Sequence, residues 1–379
     1  MKFLMLEAFF GGSHRDFAEG LQEHSRHEIR LTTLPARFWK WRMRGSALHF
    51  CKRIHGLQEY HGLIATNMMS LSDFKAISGD PFPPSLVYFH ENQLTYPLAP
   101  GEHRDFQFGF TDITTALAAD RVLFNSHTHF ASFFSALPKF IRMMPEFNPR
   151  WVTEEIREKS RVLYPGCRFP AEPSRPGHTK IAGQEPPLII WNHRWEFDKN
   201  PGQFFGALEA VRARGIDFRL ALLGENFQNV PKPFLKAREE HREQLVRYGY
   251  AGSREEYYSW LKRGDIVIST ARQENFGIAV IEAVRHGCLP LLPKRLSYPE
   301  ILPERFHDDF LYKDHTDLVE KLCLMLTRYT DFRRKAEGLP EAVGHFSWEK
   351  MIHEYDRELE RLAQSAEYCG IQSDEPLWP

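Results

Sequence analysis

At positions 274–282 the chain reads Glu274-Asn275-Phe276-Gly277-Ile278-Ala279-Val280-Ile281-Glu282. The run from Asp265 to Thr270 before it predicts a strand, and the apolar spacing from Gly277 to His286 predicts a helix. Strand, loop and helix in this order are the repeating unit of α/β folds. Gly277 would let the backbone pass close to a ligand, where the first amides of the helix can meet oxygen atoms.

The two glutamates of this stretch are predicted to lie on different parts of the unit, Glu274 in the loop and Glu282 on the helix. On one regular helix their side chains would be about 80° apart around the axis and roughly 12 Å apart along it. This separation excludes a carboxylate dyad and fits the two ends of one extended ligand. Glutamates that flank a helix are also common dipole partners and solvated surface residues, so the spacing alone leaves both interpretations open.

Strands alternate with helices along both halves of the chain. The predicted strands are residues 2–8, 62–66, 86–89, 121–124 and 161–166, then 187–191, 218–223, 245–249, 265–270 and 288–292. This alternation predicts two parallel, doubly wound sheets. Pro, Gly, Glu, Ser and Lys without periodicity separate the halves. We predict a first domain at 1–168, a linker at 169–186, a second domain at 187–348, and a final helix at about 349–366 that could pack back on the first domain.

The composition excludes several classes of function. A net charge of −1 provides no global field for nucleic acid or membrane, so such a partner needs a local patch. The five cysteines are scattered without a spacing that suggests zinc, which predicts a reducing cytoplasm. No GxGxxG or P-loop motif occurs, and no apolar run is long enough to span a bilayer. The oligomeric state stays open.

Polar residues follow several predicted strands at their carboxyl ends, where open α/β sheets bind ligands. The loop after the first strand holds Gly11-Gly12-Ser13-His14, and the strand ending at Phe89 continues into His90-Glu91-Asn92-Gln93. The strand ending at Trp191 is followed by a loop with Arg194 and Lys199, which could neutralise a diphosphate. A Gly-Gly turn, a single histidine or a single surface cation is also commonly structural.

A basic and aromatic segment lies between Glu28 and Glu59, where the chain has no acidic residue. Its central residues are Arg37, Trp39, Lys40, Trp41, Arg42 and Arg44. Cations can neutralise phosphates and aromatic rings can stack on bases, as a single-stranded RNA loop requires. A solvated basic face with its aromatic residues in the core explains the same pattern, and so does a lipid-binding helix.

Together, these segments resemble known glycosyltransferases. Glu274 and Glu282 match the Glu-x7-Glu motif of glycosyltransferase family 4, which has the GT-B fold of two Rossmann-like, doubly wound parallel-sheet domains facing across a cleft. Four further blocks resemble the tRNA-queuosine mannosyltransferase family. They are Glu7 to His14, Tyr88 to Leu94, His193-Arg194-Trp195-Glu196 with Asp198-Lys199, and Tyr298-Pro299-Glu300. The resemblance extends from Met1 to about Trp348.

The resemblance implies transfer of mannose from GDP-mannose to queuosine at the wobble position of tRNA(Asp), with retention and without a cofactor or required metal. It implies catalytic roles for His90, Glu274, Arg194 and Lys199. It implies donor binding by Gly11, Gly12, Asn192, His193, Asn275, Phe276, Gly277, Ile278 and Glu282. It implies acceptor binding by Ser13, His14, Arg37, Trp39, Lys40, Trp41, Arg42, Arg44, Glu91, Asn92 and Gln93. No membrane partner is implied.

In this scheme Glu274 contacts the hydroxyls of the donor sugar and Glu282 the ribose, while Arg194 and Lys199 bind the diphosphate. No carboxylate is evidently placed as a nucleophile, so we expect front-face attack by the queuosine hydroxyl rather than a glycosyl-enzyme intermediate. One alternative is a family-4 transferase with another nucleotide sugar or with a lipid or polysaccharide acceptor. A second is a non-catalytic module that binds a sugar nucleotide or tRNA.

Overall fold

Both halves of the chain form α/β units in the computed structural model, which describes residues 1–79, 81–98, 101–169, 185–224 and 230–369. The first unit contains Met1–Arg168 and the chain from Phe346, and the second contains Phe169–His345. Most of the predicted linker, residues 170–184, lies outside the described residues, as does the predicted tail from residue 370.

The first unit contains a parallel sheet of six strands in the order β2-β1-β3-β4-β5-β6. Its elements up to the linker are β1 (Lys2–Phe10), α1 (Gly12–His24), β2 (Glu28–Pro35), α2 (Trp39–Cys51), a 3-10 helix (Leu57–Glu59), β3 (Gly62–Thr66), α3 (Leu71–Ser78), β4 (Ser85–Phe89), α4 (Phe106–Ala118), β5 (Arg121–Phe124), α5 (His127–Ile141), α6 (Val152–Glu158) and β6 (Ser160–Val162). Strands β3 and β4 are buried along their whole length, which explains their continuous apolar sequences.

The second unit repeats this architecture with a parallel sheet of six strands in the order β12-β11-β10-β7-β8-β9. Its elements are β7 (Leu188–Trp191), a 3-10 helix (Phe197–Lys199), α7 (Pro201–Ala213), β8 (Arg219–Leu222), α8 (Lys232–Glu240), β9 (Leu245–Tyr248), α9 (Arg254–Arg263), β10 (Ile266–Ile268), α10 (Ile278–Arg285), β11 (Leu289–Pro293), α11 (Tyr298–Ile301), a 3-10 helix (Glu304–Phe306), α12 (His307–Phe310), β12 (Leu311–Tyr312), α13 (His315–Thr327), α14 (Tyr329–Lys335) and α15 (Leu339–Ala342). A 3-10 helix (Val343–Phe346) precedes the final helix α16 (Trp348–Cys369).

Helix α16 packs on one face of the sheet of the first unit. Trp348 is buried there, and the space around it requires glycine at two positions. A Cβ atom on Gly20 would lie 2.1 Å from Nε1 of Trp348, and one on Gly166 would lie 2.2 Å from its Cδ2. The Tyr355 hydroxyl donates to the carbonyl of Tyr164 at 2.8 Å. The end of the chain therefore completes a hydrophobic core made by its beginning.

Three elements near the N-terminus differ from the sequence prediction. The segment Glu28–Pro35 is an edge strand and Trp39–Cys51 is a helix, although the sequence suggested only a basic, aromatic segment. Helix α1 begins at Gly12, whose φ of +50° favours glycine, whereas the sequence suggested a loop to His14. Ser13 and His14 are thus in the first helical turn. Among the described residues, none of the helices has the length and apolar character that crossing a membrane requires.

Candidate functional site

In the second unit the predicted site residues come from loops at the carboxyl ends of β7 and β10. These strands are neighbours in the sheet, so their following loops adjoin. The Thr270 hydroxyl donates to the carbonyl oxygens of Lys199 and Asn200, at 2.9 Å and 3.0 Å. The backbone amide of Arg272 donates to the carbonyl of Asp198 at 2.7 Å. These contacts fix the two loops against each other.

Lys199 and Glu274 meet in this region, as the sequence predicted for two residues of one site. Nζ of Lys199 lies 3.3 Å from Oε2 of Glu274 and 3.1 Å from Oδ2 of Asp198, and it donates to the carbonyl of Gln273 at 2.8 Å. Burial lowers the pKa of Lys199, but the carboxylates of Glu274 and Asp198 raise it, and the net shift is upward. Lys199 is therefore a fixed, permanently charged donor. We call Lys199, Asp198 and Glu274 the lysine cluster.

Asp198 was not among the residues selected from the sequence. Its side chain is buried beside Lys199, and the lysine cluster consequently contains two carboxylates and one ammonium group. Its position next to Lys199, in a block that resembles the mannosyltransferase family, was the signal that could have identified it. Because the cluster carries no net positive charge, Lys199 acts as a precisely oriented donor, and attraction of an anion needs a further cation.

Arg194 is a candidate for that cation. Its guanidinium lies 3.3 Å from Oε2 of Glu196, and its side chain is partly exposed. Burial raises the pKa of Glu196, while Arg194 opposes that shift. Burial also lowers the pKa of His193 to about 4, against the opposite influence of Glu274, so its imidazole is neutral at physiological pH.

Glu282 is held by a residue that the sequence did not reveal. The Tyr257 hydroxyl donates to Oε2 of Glu282 at 2.9 Å, and Nδ2 of Asn192 donates to the same hydroxyl at 3.0 Å. Nδ2 of Asn192 also donates to the carbonyl of Ala279 at 2.7 Å. Burial and Glu282 raise the pKa of Tyr257 well above its usual range, which keeps the hydroxyl protonated. Tyr257 lies in the charged helix α9, where no sequence pattern marks it.

The turn before α10 has the backbone conformation that favours glycine at position 277. Gly277 has φ of +103°, and a Cβ there would be 3.2 Å from Cδ1 of Ile301. The helix begins at Ile278, one residue later than predicted. Phe276 is buried, and its carbonyl accepts a 2.8 Å hydrogen bond from the Ser297 hydroxyl. Asn275 contacts Nε2 of Gln273 at 2.9 Å through its Oδ1 atom.

In the first unit His14 and His90 come together beside Glu7, a residue that received no role from the sequence. Glu7 is fully buried; its Oε1 accepts from the amide of Phe9 at 2.7 Å, and its Oε2 lies 3.1 Å from Nδ1 of His14. The rings of His14 and His90 are 4.0 Å apart between centroids. Burial, followed by His14 and His129, lowers the pKa of His90 well below its usual range.

We call Glu7, His14 and His90 the histidine cluster. Candidate ligand atoms of its three residues lie within 4.8 Å of one another, a spacing that a small divalent cation could bridge. The contact between Glu7 and His14 also explains the arrangement as a carboxylate that orients an imidazole. Absence of a required metal stays a prediction from the family resemblance.

The remaining residues after β4 largely stabilise their own loop. Oδ1 of Asn92 accepts from the amide and the hydroxyl of Thr95 at 2.9 Å and 3.1 Å, and Asn92 is almost fully buried. The amide of Gln93 donates to Oδ2 of Asp112 at 2.5 Å. Glu91 is half-buried. These contacts support the position of His90. Among Glu91, Asn92 and Gln93, the geometry gives the least support to the predicted acceptor role of Asn92, because its side chain is buried and its Oδ1 is bonded to Thr95.

The basic, aromatic segment divides into a packed part and an exposed part. The Trp39 ring packs 5.0 Å from that of Phe108, whereas Trp41 is 78% exposed. Phe38 is also exposed, at a left-handed backbone position with φ of +55°. The predicted basic residues Arg37, Lys40 and Arg44 are exposed and Arg42 is half-exposed.

In the Gly-Gly turn after β1, Gly11 packs tightly, since a Cβ there would lie 2.4 Å from that of Ala36. Gly12 and Ser13 are exposed.

Two family models match the chain. The model described as "tRNA-queuosine alpha-mannosyltransferase N-terminal" matches residues 2–167, and the one described as "Glycosyl transferases group 1" matches residues 179–337. The tRNA-queuosine alpha-mannosyltransferase of Drosophila melanogaster is 37% identical over 361 residues, which cover 93% of this chain and 94% of that protein. A GDP-mannose:cellobiosyl-diphosphopolyprenol alpha-mannosyltransferase of Xanthomonas oryzae is 23% identical over 172 residues, 44% of this chain and 45% of that protein.

Solved structures share the fold at low sequence identity. A sucrose-phosphate synthase from Thermosynechococcus elongatus has a TM-score of 0.74 at 14% identity, over 96% of this chain and all of that structure. The Anabaena protein HepE in complex with UDP has a TM-score of 0.66 at 14% identity, over 95% of this chain and all of that structure. With two parallel sheets flanked by helices, this likeness confirms the predicted GT-B class.

Proposed function

The chain belongs to the tRNA-queuosine alpha-mannosyltransferase family and is a glycosyltransferase, and from this premise we propose that it transfers mannose from GDP-mannose to the queuosine of tRNA(Asp). The observation that best supports a donor site in the second unit is the lysine cluster. It places a buried ammonium group and two carboxylates where the loops after β7 and β10 adjoin. We infer a cytoplasmic reaction, because its acceptor is a tRNA.

The ammonium group of Lys199 would donate to the diphosphate of the donor. As the bond between C1 of the sugar and the phosphate oxygen breaks, the electron pair leaves with GDP and negative charge grows on that oxygen. A donor that is already oriented stabilises this charge without reorganisation in the transition state. Arg194, which is partly exposed beside Glu196, would supply the second cation for the diphosphate.

Two carboxylates would hold the two ends of the donor. Glu274, fixed by Lys199, would accept hydrogen bonds from hydroxyls of the transferred sugar. Glu282, fixed by Tyr257, would accept from the ribose hydroxyls. These contacts fit the expectation that the two residues serve separate ends of an extended ligand. Gly277, with its positive φ, would let the backbone approach the sugar.

The acceptor would be a hydroxyl of queuosine, attacking C1 on the face from which GDP departs. Its oxygen forms the new bond to C1, and its proton passes to the departing phosphate oxygen, so that configuration is retained and no enzyme nucleophile is needed. His90, neutral because of its burial, would lie beside the transferred sugar as a hydrogen-bonding group. The exposed cations and Trp41 on and next to α2 would contact the anticodon loop.

The test is to incubate the protein with GDP-mannose and tRNA(Asp) containing queuosine, digest the RNA and weigh its nucleosides. We expect a hexose added to queuosine, no product with tRNA lacking queuosine, and no product from Glu274→Ala. A hexose transferred only from another nucleotide sugar would contradict the mannose donor. Transfer to a lipid or polysaccharide, with none to tRNA, would contradict the acceptor.

A further inference from the structure

A cleft of about 630 Å³ lies between α2, α3 and α4 in the first unit, outside the residues assigned to the reaction apart from Arg44. Its walls include Arg44 from α2, Asp73 from α3, Arg104 from the loop before α4, and Phe106, Phe110 and Thr111 from α4. The volume is larger than a single buried side chain would leave and is open to solvent on one side. The cleft thus has room for a small planar ligand together with a charged group.

Two phenylalanine rings form the apolar part of the cleft. Phe106 is 47% exposed and Phe110 is 37% exposed. Both rings pack against Phe140, at centroid distances of 5.9 Å and 5.0 Å. Phe140 is buried and supports both rings from the core side, while more than a third of each of Phe106 and Phe110 stays exposed. Aromatic faces held in this way are stacking platforms for bases of single-stranded nucleic acid.

Two arginines form the basic part. Arg44 donates to the Thr111 hydroxyl at 3.2 Å and lies 3.7 Å from Oδ2 of Asp73, and about half of its side chain is exposed. Its guanidinium is therefore oriented by weak surface contacts that leave donors for a phosphate. Asp73, whose side chain is 44% exposed, adds carboxylate acceptors, which suit amino groups at base edges and ribose hydroxyls.

Arg104 connects the cleft with the loop that begins at His90. Its guanidinium donates to the carbonyl oxygens of Gln93 and Tyr96, the latter at 3.1 Å. Helix α2, which lines the cleft through Arg44, also carries the exposed Lys40 and Trp41. Through Arg104 and Arg44 the cleft thus adjoins the loop after β4 and the basic, aromatic segment, both of which belong to the first unit.

We propose that this cleft binds a nucleotide of the tRNA other than the one that is modified, with its base stacked on Phe106 and Phe110 and its phosphate at Arg44. This inference rests on the proposed function, because it assigns a second contact to the same RNA. A groove for an apolar peptide would not need oriented guanidinium groups. Two supported rings together with such groups fit the planar and anionic parts of one nucleotide.

The experiment compares Phe106→Ala/Phe110→Ala with wild type on a queuosine-containing anticodon stem-loop of tRNA(Asp). We expect KM for the RNA to rise about tenfold or more, with kcat at saturating RNA and KM for GDP-mannose unchanged. Anisotropy of the labelled stem-loop should show the same loss of affinity. Phe147→Ala is the matched control, since Phe147 is 91% exposed in the same unit and does not line the cleft.

A second variant tests the phosphate contact. Arg44→Gln should weaken stem-loop binding and reduce the slope of log affinity against log salt by about one. An unchanged RNA affinity in both variants would overturn the proposal. A rise of KM for GDP-mannose equal to the rise of KM for the RNA would also overturn it. So would weakened binding to anionic vesicles together with unweakened binding to RNA. If wild type fails to add hexose to queuosine, the proposed function fails, while the anisotropy measurement still decides whether the cleft binds RNA.

Discussion

The lysine cluster of the second unit and the histidine cluster of the first differ in the charges of the side chains that they bring together. Each brings together buried or partly buried side chains from parallel strands or from the segments that follow them. In the lysine cluster, a cation lies between two carboxylates. In the histidine cluster, a carboxylate contacts an imidazole, which packs on a second imidazole that burial keeps neutral.

This difference indicates what each unit can contribute to sugar transfer. A buried ammonium group, kept charged by carboxylates, can stabilise negative charge that develops on a leaving group. Neutral or carboxylate-bound imidazoles can orient hydroxyl groups without adding a strong field. We therefore infer that the first arrangement suits the diphosphate and, through Glu274, hydroxyls of the sugar, and that the second suits hydroxyls of the sugar and of the acceptor.

Removal of Lys199 should give the largest effect, because it removes the only ammonium group of the lysine cluster. We expect Lys199→Met to lower kcat about 10²- to 10³-fold, as loss of one oriented transition-state donor does. Initial rates of hexose transfer to queuosine-containing tRNA measure the change. Lys159→Met is the control, because Lys159 is a partly buried lysine of the first unit that donates to the carbonyl of Leu117 at 2.7 Å. A folded Lys199→Met protein with less than tenfold loss would contradict the proposed role.

Acidification should lower the unfolding free energy through one buried histidine in each unit, His193 in the second and His129 in the first. Burial lowers the pKa of His193 to about 4 and that of His129 to about 3, whereas the unfolded chain titrates near 6.5. Protonation therefore favours the unfolded chain. The unfolding free energy contributed by each group is fully present above pH 6.5 and decreases as the pH falls towards the folded pKa, by on the order of 3 kcal/mol for His193.

Histidine NMR signals recorded against pH, with urea unfolding at the same pH values, measure this prediction. Glu274 raises the pKa of His193, whereas burial alone shifts that of His129, so Glu274→Gln should lower the titration midpoint of His193 and leave that of His129 unchanged. A midpoint near 6.5 for either histidine in the folded protein would contradict the burial argument.

Neutralisation of Glu7 should have a smaller effect than loss of Lys199. Glu7→Gln keeps an oxygen for the amide of Phe9 but removes the charge beside His14, and we expect kcat/KM for tRNA mannosylation to fall about tenfold. Glu19→Gln is the control on helix α1, because Glu19 pairs only with the exposed side chain of Arg15 among the contacts described. Equal losses in the two variants would show that the histidine cluster does not depend on this charge.

The smallest effect is expected from Tyr257→Phe, which removes one hydroxyl beside Glu282. We expect KM for GDP-mannose to rise about fivefold with kcat unchanged, because one hydrogen bond that orients the ribose carboxylate is lost. Tyr248→Phe removes a 3.2 Å hydrogen bond to the carbonyl of Phe234 in the same unit and serves as control. A change confined to kcat would place Tyr257 in the chemical step instead.

The sequence was sufficient for the α/β class and for much of the second unit. Apolar runs predicted strands close to β7, β8 and β10, and the Gly277 turn followed from local residue types. The edge strand β2 was not predicted, because only part of it is buried and its apolar pattern is weak. Helix α2 was not predicted, because aromatic and basic residues alternate at its start without a clear apolar stripe.

For the site, the sequence by itself determined the residue types near strand ends, since a short stretch such as 274–282 fixes its own turn and helix through local propensity. Only the tertiary structure decided which side chains meet. Lys199 and Glu274 are 75 positions apart and Asn192 and Tyr257 are 65 apart, so no local pattern links them. The packing of parallel strands and the direction of each side chain from its helix or loop determine such contacts, as they separate the partly buried Trp39 from the exposed Trp41.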